Sequence, residues 1–398
     1  MHYARISNRL GGLGSDKWAV HLKARAMQAA GTPILELTIG EPDVAPDPVL
    51  AEVVASALEQ GRIGYSNGRG EPELLKALSA RYTARTGRAI GPENVVCFPG
   101  TQTALFAVML TLVEDGDAVL VGDPLYATYE GVIRSTGAEM APVPLKPEDG
   151  FHMRADILEQ AITDNSRVLL LNTPHNPTGA VLTAEELAEI GDVCRRHDLW
   201  IIADEVYEEL IFGGDFASPL DNADLAGRTI AVSSISKSHA APGFRSGWAI
   251  GPAAFCARLL PVAETMLFGN QPFIADATAA AIERPSGVSA ALRASLRRRA
   301  ALLVDALLAA PGILCAMPEA GMFAFVDVSA TGLSGEAFAL GLLESEHLAV
   351  MPGSSFGVEA DGFIRISLTV PDEDIVEAAH RISRFAANLT AGKKAAQA

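Results

Sequence analysis

The chain has 398 residues, of which 49% are hydrophobic and 20% charged, and its formal net charge is -17. This is the composition of a globular protein that is long enough to bury a sizeable core, and we expect two lobes. The acidic balance, without a basic stripe to neutralise backbone phosphates, argues against a nucleic-acid partner. No stretch is long and apolar enough to suggest a membrane span, and the first residues do not resemble a signal peptide. We therefore expect a soluble, cytoplasmic protein.

The four cysteines lie far apart in the chain. They show neither CxxC spacing nor a nearby histidine cluster, which argues against a metal site. We interpret them as reduced, structural thiols at Cys97, Cys194, Cys256 and Cys315.

From about residue 47 onward, segments of helical periodicity alternate with short apolar runs. DPVLAEVVASALEQG and TQTALFAVMLTLV repeat apolar residues at helical spacing. Asp47 followed by Pro48 predicts the start of the first helix, and Gly61 marks its end. Thr183 with Glu186 is a capping-box pattern that opens a later helix. Buried strands are predicted at VVCF, AVLVG, RVLLLN, WIIADE and TIAVSSI. This alternation predicts an α/β fold with a parallel sheet.

After about residue 285 the pattern changes. A long Arg-rich amphipathic helix is followed by the apolar run MFAFVDV, a helix, LAVMPG, FIRISL and a final helix that begins near Pro371. This order of elements predicts a smaller α+β lobe. Because no Ser-rich linker or low-complexity tract separates the two parts, we expect them to pack together.

Polar residues follow several of the predicted strands directly. In an open parallel sheet, ligands bind beyond the carboxyl ends of the strands. Asp204 ends one strand, and Lys237 follows another within a segment of small, mostly uncharged residues that can desolvate its amine. The turn at Gly100 leads from a strand into a helix, whose free N–H groups suit a phosphate. Each signal alone has an ordinary explanation: most lysines are surface residues, Asp204 can cap a helix, and many such turns bind nothing.

The combination of motifs resembles the class I/II aminotransferases, which are fold type I enzymes dependent on pyridoxal 5'-phosphate (PLP). The motifs that carry the resemblance occur in order as TIGEPD, GYSNGRGEPELLKAL, NPTG at 176–179, DEVY at 204–207, SxSK ending at Lys237, Arg245, PGSSFG and FIRIS with Arg365. The resemblance covers nearly the whole chain. It implies an N-terminal segment, residues 1–45, that packs on a small domain, a large PLP-binding domain over 46–285 with a mainly parallel seven-stranded sheet between helices, and the small α+β domain itself over 286–398.

The resemblance also implies roles around the PLP ring. Lys237 would hold the cofactor as a Schiff base and later move the proton of the substrate. Asp204 would pair with the pyridine nitrogen and keep it protonated. Asn176 and Tyr207 would lie beside the phenolic oxygen of the cofactor, and Tyr126 would stack on its ring.

For the cofactor phosphate, the resemblance implies a set of backbone amides, hydroxyls and one guanidinium. These residues are Gly100, Thr101, Gln102, Ser234, Ser236 and Arg245. Tyr65 matches a tyrosine that reaches the phosphate from the neighbouring subunit. The resemblance therefore implies a homodimer with shared active sites.

The same resemblance points to the substrate, an amino acid that gives its amino group to a 2-oxo acid. Arg365 would grip the α-carboxylate, assisted by Asn176 and the backbone of Gly40. Gln102 stands where relatives specialised for aspartate or glutamate often have a basic residue, so we expect a neutral or basic donor. The pattern, including Trp18 at the substrate side and SKSHA after the lysine strand, is most similar to the arginine–pyruvate transaminase branch, which makes arginine the leading donor and pyruvate one candidate acceptor.

Two other functions use the same features. A PLP-dependent carbon–sulfur β-lyase shares this fold and the lysine, and it would release pyruvate and ammonia without an amino-group acceptor. A PLP-sensing regulator would carry a DNA-binding domain ahead of the aminotransferase-like domain, and the short stretch before Gly40 leaves no room for one.

Overall fold

The computed structural model of the chain describes residues 2–11, 13 and 16–397. The α-helices in these residues are α1 (Arg5–Arg9), α2 (Ala19–Ala29), α3 (Pro48–Glu59), α4 (Pro72–Thr86), α5 (Thr101–Leu112), α6 (Tyr129–Thr136), α7 (Ala155–Ala161), α8 (Ala184–Arg196), α9 (Ile235–Ser238), α10 (Ala253–Met266), α11 (Pro272–Ile282), α12 (Gly287–Leu307), α13 (Gly335–Glu346) and α14 (Asp372–Gln397). The strands are β1 (Leu35–Glu36), β2 (Val95–Phe98), β3 (Ala118–Asp123), β4 (Glu139–Pro144), β5 (Ser166–Asn172), β6 (Trp200–Asp204), β7 (Thr229–Ser234), β8 (Gly247–Ile250), β9 (Leu314–Cys315), β10 (Phe323–Asp327), β11 (Leu348–Ala349), β12 (Met351–Pro352) and β13 (Phe363–Ser367).

A seven-stranded sheet in the order β2-β8-β7-β6-β5-β3-β4 forms the centre of the molecule. Strand β8 is antiparallel to β7 and β2, and the other neighbouring strands are parallel. The predicted α/β fold with a mainly parallel seven-stranded sheet is therefore confirmed. The sequence patterns had indicated five of these strands but neither β4 nor β8. Strand β8 has only four residues and begins at a glycine, while β4 contains two prolines, so neither presents the usual apolar run.

Helices cover both faces of the sheet. Alternate side chains of each strand point to opposite faces, so neighbouring residues of one strand pack in different clusters. Val168 and Leu170 of β5 pack in one cluster with helices α5, α6 and α10. Leu169 and Leu171 of the same strand pack in another with α7 and α8. Helices α3, α4 and α11 enclose the β2 end of the sheet. These helices cover the two faces of the sheet and leave the ends of its strands uncovered.

The helix caps predicted from the sequence are confirmed. The Asp47 carboxylate accepts a hydrogen bond from the backbone N–H of Val49 at 3.0 Å, with Pro48 in the first helical position. Thr183 and Glu186 form a reciprocal capping box at the start of α8. These local contacts stabilise the ends of two helices that flank the sheet.

The C-terminal part contains a four-stranded sheet in the order β12-β13-β10-β9, in which every neighbouring pair is antiparallel. Its core packs α12, α13 and α14 together with residues of α2, and β1 pairs in parallel with β11. The division into segments 1–45, 46–285 and 286–398 stays a prediction. Within the described part of the chain, no helix combines the length and the apolar character needed to span a membrane.

Candidate active site

A cavity of about 180 Å³ opens where the carboxyl ends of β5, β6 and β7 face the start of α5. This is the edge at which a parallel sheet binds ligands. The residues predicted from the sequence that line the cavity are Thr101, Gln102, Tyr126, Asn176, Asp204, Tyr207, Ser234, Ser236, Lys237 and Arg245. The fold therefore brings one set of predicted residues to one site, although they are scattered over more than a third of the chain.

Lys237 lies in the short helix α9, directly after strand β7. Its Nζ donates a hydrogen bond to the backbone oxygen of Gly40 at 2.7 Å. Burial lowers the pKa of Lys237 to about 8, while the carboxylate of Glu41 raises it and the charges of Arg365 and Arg245 lower it further. A substantial fraction of this amine is therefore neutral near physiological pH, which is the nucleophilic form.

Asp204 ends strand β6 and is only 4% exposed. The hydroxyl of Tyr129 donates to its Oδ2 at 2.7 Å, and the backbone N–H of Val206 donates to its Oδ1 at 3.3 Å. Burial raises the pKa of Asp204 to about 6, and these two hydrogen bonds act in the opposite direction. The group is therefore largely a carboxylate at neutral pH and is oriented by fixed donors.

Tyr129 was not among the predicted site residues. It is the second tyrosine of DPLYATY, three positions after Tyr126, and the two rings meet edge to face with centroids 5.4 Å apart. Burial raises the pKa of Tyr129 well above its usual range, so its hydroxyl stays protonated and can donate to Asp204. A second buried tyrosine in a loop already assigned to the site was the signal that could have identified it.

The other polar groups around the ring position are also buried. Tyr207 is 5% exposed, and burial raises its pKa, whereas the Asn176 side chain lowers it through a hydrogen bond. Burial likewise raises the pKa of Tyr126. Both phenols therefore keep their protons at neutral pH and can act as hydrogen-bond donors. The backbone N–H of Asn176 donates to the side chain of Asn172 at 2.8 Å, which holds the NPTG loop against the end of β5.

At the other end of the cavity, the turn between β2 and α5 presents the hydroxyl of Thr101, whereas the backbone N–H of Gly100 already donates to the backbone oxygen of Phe98 at 2.7 Å. Gly100 has a φ of +88°, and the hydroxyl of Thr101 is buried without a hydrogen-bond partner. Arg245 donates to the backbone oxygens of Pro242 at 2.7 Å and Pro99 at 3.4 Å, and it has no carboxylate partner among the described residues. A helix start, a free hydroxyl and a guanidinium without a carboxylate partner in the described part of the chain suit a phosphate group.

Two further predicted phosphate ligands have local partners. The Ser234 hydroxyl accepts a hydrogen bond from the backbone N–H of Ser236 at 3.3 Å and so caps α9. Gln102 accepts a hydrogen bond from the Thr128 hydroxyl at 3.0 Å through its Oε1. The Gln102 side chain is therefore an uncharged amide, and it offers no positive charge to a second carboxylate of a substrate.

Arg365 lies in strand β13 and is 3% exposed. It donates to Oδ1 of Asn176 at 3.0 Å and to the backbone oxygen of Thr38 at 2.7 Å, and its Nε has no partner. The guanidinium lies 3.9 Å from the ring centroid of Phe323 and 4.5 Å from that of Phe356. Burial lowers its pKa to about 10. Within the described part of the chain no carboxylate pairs with it, so Arg365 is a buried cation ready to bind an anion.

Five predicted residues do not line the cavity: Gly40, Gly100 and Arg365, whose contacts are given above, and the side chains of Tyr65 and Trp18. Tyr65 is 95% exposed, and its ring meets that of Phe268 with centroids 6.0 Å apart. Trp18 packs beside the aromatic cluster that contains Phe356 and meets His21 edge to face at 5.9 Å. Neither side chain lines the cavity of its own chain.

The fold and the site are those of a PLP enzyme, and residues 32–382 match the model of the aminotransferase class I and II family. The chain belongs to this family and is a PLP-dependent aminotransferase, as the sequence motifs predicted. An arginine–pyruvate transaminase of Pseudomonas aeruginosa is 40% identical over 390 residues, which cover 98% of this chain and 99% of that protein. An aspartate aminotransferase of Musicola paradisiaca is 32% identical, over 96% of this chain and 98% of that protein. The solved structure of a Thermus thermophilus aspartate aminotransferase double mutant matches with a TM-score of 0.91 at 29% identity, over 97% of this chain and all of that one.

The residues of the site fit PLP. The unpaired Thr101 hydroxyl and the Arg245 guanidinium suit its phosphate, while the carboxylate of Asp204 suits its pyridine nitrogen. The amine of Lys237 opens onto the same cavity. The cavity thus offers an anion site, a buried carboxylate and a reactive amine together.

Proposed function

We propose that this aminotransferase moves the α-amino group of a neutral or basic L-amino acid, with arginine the leading candidate, to a 2-oxo acid such as pyruvate by a ping-pong mechanism. The observation that carries the proposal is Arg365, a buried cation without a carboxylate partner among the described residues, which shares its surroundings with Lys237. The relative named as an arginine–pyruvate transaminase supports this choice of substrates.

In the proposed reaction, bound PLP supplies an electron sink for the substrate Cα. Asp204 would keep the ring nitrogen protonated, and the Tyr129 hydroxyl holds this carboxylate in place. Lys237 would hold the cofactor and, once the substrate has displaced it, its neutral amine would take the proton from the substrate Cα and pass it to C4' of the cofactor, the carbon on the other side of the amino nitrogen. Tyr207 and Asn176 would donate hydrogen bonds to the phenolic oxygen of the cofactor, and Tyr126 would pack against its ring.

The phosphate of the cofactor would lie at the start of α5. Its proposed ligands are Gly100, Thr101, Gln102, Ser234, Ser236 and Arg245. The positive end of the helix and the guanidinium both favour a dianion there. This cradle lies within the proposed large domain, residues 46–285, so the cofactor would stay with that domain during turnover.

The substrate carboxylate would bind Arg365, with Asn176 and the backbone of Gly40 beside it. Arg365 already donates to Asn176, and Gly40 already accepts from Lys237, so these groups converge on one small volume. Trp18 would close the site from the N-terminal segment. A second carboxylate on the donor would meet Gln102 and would be buried without a cationic partner, which costs free energy. Neutral and basic donors are therefore favoured over aspartate and glutamate.

A screen of amino donors with pyruvate as acceptor tests this choice. The ratio kcat/KM is the relevant quantity, because it reports differential binding of the transition state. We expect arginine and neutral amino acids to exceed aspartate and glutamate. Higher kcat/KM for aspartate or glutamate would contradict the role given to Gln102. Release of ammonia without any acceptor would indicate the lyase reaction instead.

The cofactor link has its own test. Borohydride reduction of the yellow holoenzyme is expected to abolish its visible absorbance and to leave a pyridoxyl group on Lys237, which peptide mass spectrometry locates. Lys237→Ala should keep some affinity for PLP through the phosphate cradle but lose several orders of magnitude in rate. A pyridoxyl group on another lysine would contradict the assignment.

We also propose a homodimer in which Tyr65 reaches the phosphate of the partner subunit. Tyr65 is 95% exposed, and its neighbours Ile63 and Phe268 are 72% and 63% exposed, an apolar group of the kind that dimer formation covers. Mixing Tyr65→Ala with Lys237→Ala subunits tests the shared site, provided that each variant alone is severely impaired. A heterodimer would then contain one site with both residues intact. Subunit exchange without recovery of activity would refute it.

A further inference from the structure

The segment that follows β6 has two chemically different faces. Asp204 and Tyr207 line the cavity. Glu205 lies between these two residues, and Glu208 and Glu209 follow them. The three glutamates do not line the cavity, and their carboxylates accept hydrogen bonds from arginines of helix α4. The same short piece of backbone therefore presents the proposed cofactor ligands on one side and three carboxylates on the other.

Arg85, near the end of α4, binds the first of these carboxylates. Its Nη1 donates to Oε2 of Glu205 at 2.9 Å and to Oε2 of Glu208 at 2.8 Å. Its Nε donates to Oδ1 of Asp221 at 3.0 Å. The guanidinium also lies 4.6 Å from the centroid of the Tyr82 ring. One arginine thus holds two points of the segment and ties them to a second loop.

Arg81, one helical turn earlier, binds the next pair. Its Nη2 donates to Glu208 at 2.9 Å and to Glu209 at 2.8 Å. Glu208 is therefore shared by both arginines, and the Ser218 hydroxyl occupies the remaining oxygen of Glu205. The two arginines and their acceptors form a continuous network behind the segment.

Stability alone is a weak explanation for this network. Glu205 is fully buried. The free energy needed to remove a pair of charges from water is about as large as the attraction between the buried charges. Apolar residues of similar volume would therefore stabilise the fold equally well. Charge-assisted hydrogen bonds differ from apolar contacts in being directional. A network of them fixes the orientation of the backbone between Glu205 and Glu209, and with it the directions of Asp204 and Tyr207.

We infer that Arg85, supported by Arg81, is a positioning residue that sets the placement of Asp204 and Tyr207 against the cofactor. The inference rests on the proposed roles of those two residues. Arg85 itself does not line the cavity, and its ion pairs with described residues are made to Glu205 and Glu208 on the far face of the segment and to Asp221.

The test uses the PLP holoenzyme of the Arg85→Gln variant. We expect kcat to fall by about tenfold to a hundredfold, because a small misplacement of a reacting group has effects of this size. The KM of the donor should change by less than about threefold, because Arg365 lies in a different sheet and its recorded hydrogen bonds go to Asn176 and Thr38, not to the network. Arg85→Lys keeps the charge without the planar fork and should recover part of kcat.

A spectroscopic readout separates positioning from mere stability. The pH midpoint of the visible absorbance of the lysine-bound cofactor should rise by about one pH unit in Arg85→Gln. Two causes act in the same direction: Tyr207 donates less well to the phenolic oxygen, and one positive charge behind the site is lost. PLP binding without substrate is sufficient for this measurement, so it does not depend on turnover.

Arg228→Gln is the matched control. Arg228 is also partly buried and donates to the backbone oxygen of Leu199 at 2.9 Å, but it lies at the opposite ends of β6 and β7. If Arg85→Gln has a lower melting temperature but the same kcat and the same pH midpoint of absorbance as Arg228→Gln, the inference is wrong. If Arg85→Gln does not fold, Arg81→Gln replaces it, since Arg81 is 25% exposed and its loss is milder. Unchanged kcat and midpoint in that variant also overturn the inference.

The wild-type holoenzyme distinguishes the two levels of the proposal. If borohydride does not trap the cofactor on Lys237, the proposed function fails and the inference fails with it. If Lys237 is trapped and the wild type transaminates while Arg85→Gln behaves as the control does, only the inference fails.

Discussion

Gly100→Ala is expected to weaken the binding of PLP while leaving the fold intact. Gly100 has a φ of +88° and a ψ of 165°, a combination essentially confined to glycine, so a residue with a Cβ there is strained by about 1–3 kcal/mol. A Cβ added at this position would lie 2.3 Å from Nη2 and 2.9 Å from Cζ of Arg245, closer than such atoms approach. The guanidinium is the far end of a flexible side chain, so it moves aside and leaves its position at the proposed phosphate site.

The size of the effect follows from the hydrogen bonds that Arg245 would lose. Hydrogen bonds to a charged group contribute about 1.5–3 kcal/mol. Loss of that interaction corresponds to a rise in the Kd of PLP of about ten- to 150-fold. The strain at φ adds to the destabilisation of the folded protein and can be followed separately as a change in Tm.

Titration of the apoprotein with PLP, followed by tryptophan fluorescence and visible absorbance, measures this Kd. Gly243→Ala is the matched control, because it lies two positions before Arg245, has no positive φ, and a Cβ there would meet no atom within 4 Å. We expect the control to bind PLP as the wild type does. Equal Kd values for Gly100→Ala and Gly243→Ala, in folded proteins, would show that Arg245 does not bind the phosphate.

Three further outcomes are expected. Arg365→Gln should raise the KM of every amino donor by about a hundredfold and leave the Kd of PLP unchanged, because truncating one partner of a buried charge pair costs about 2–5 kcal/mol; an unchanged KM would mean that the carboxylate binds elsewhere. Because burial lowers the pKa of Lys237 to about 8, the rate at which the apoprotein captures PLP should rise with pH and level off above that value, and a flat profile would contradict it. The carboxylates of Glu319 and Glu186 raise the pKa of His152 from 6.5 to about 9. The stability that His152 contributes is therefore complete below 6.5 and lost as the pH rises through 9, so the Tm difference between wild type and His152→Gln should be largest near about pH 6 and vanish near about pH 10.

Much of the cofactor site was predictable because its residues follow strands directly in sequence. Asp204 and Lys237 each come at the end of an apolar run, and parallel strands place such ends at one edge of a sheet. Helix starts such as Asp47 were also predictable, because a cap depends on only a few neighbouring residues. The family resemblance then assigned roles to these positions.

Other features depended on the tertiary structure. The Tyr129 hydroxyl reaches Asp204, a residue 75 positions away, and Arg85 reaches Glu205 across 120 positions. Nothing in the periodicity of α4 or α6 indicates these partners, because periodicity identifies the buried face of a helix but not the residue that it meets. The antiparallel direction of β8 likewise follows from its pairing with β7 and β2.

The sequence by itself determined the alternation of strands and helices, the caps and the motifs that place this chain among PLP-dependent aminotransferases. Only the tertiary structure decided that Arg365 is buried between two aromatic rings and has no acidic partner among the described residues. It also decided that the amine of Lys237 donates to the backbone oxygen of Gly40, 197 positions earlier in the sequence. The physical reason is distance along the chain: propensities and caps act within a few residues, whereas burial, pairing of charges and pKa shifts arise between segments that only the order of strands brings together.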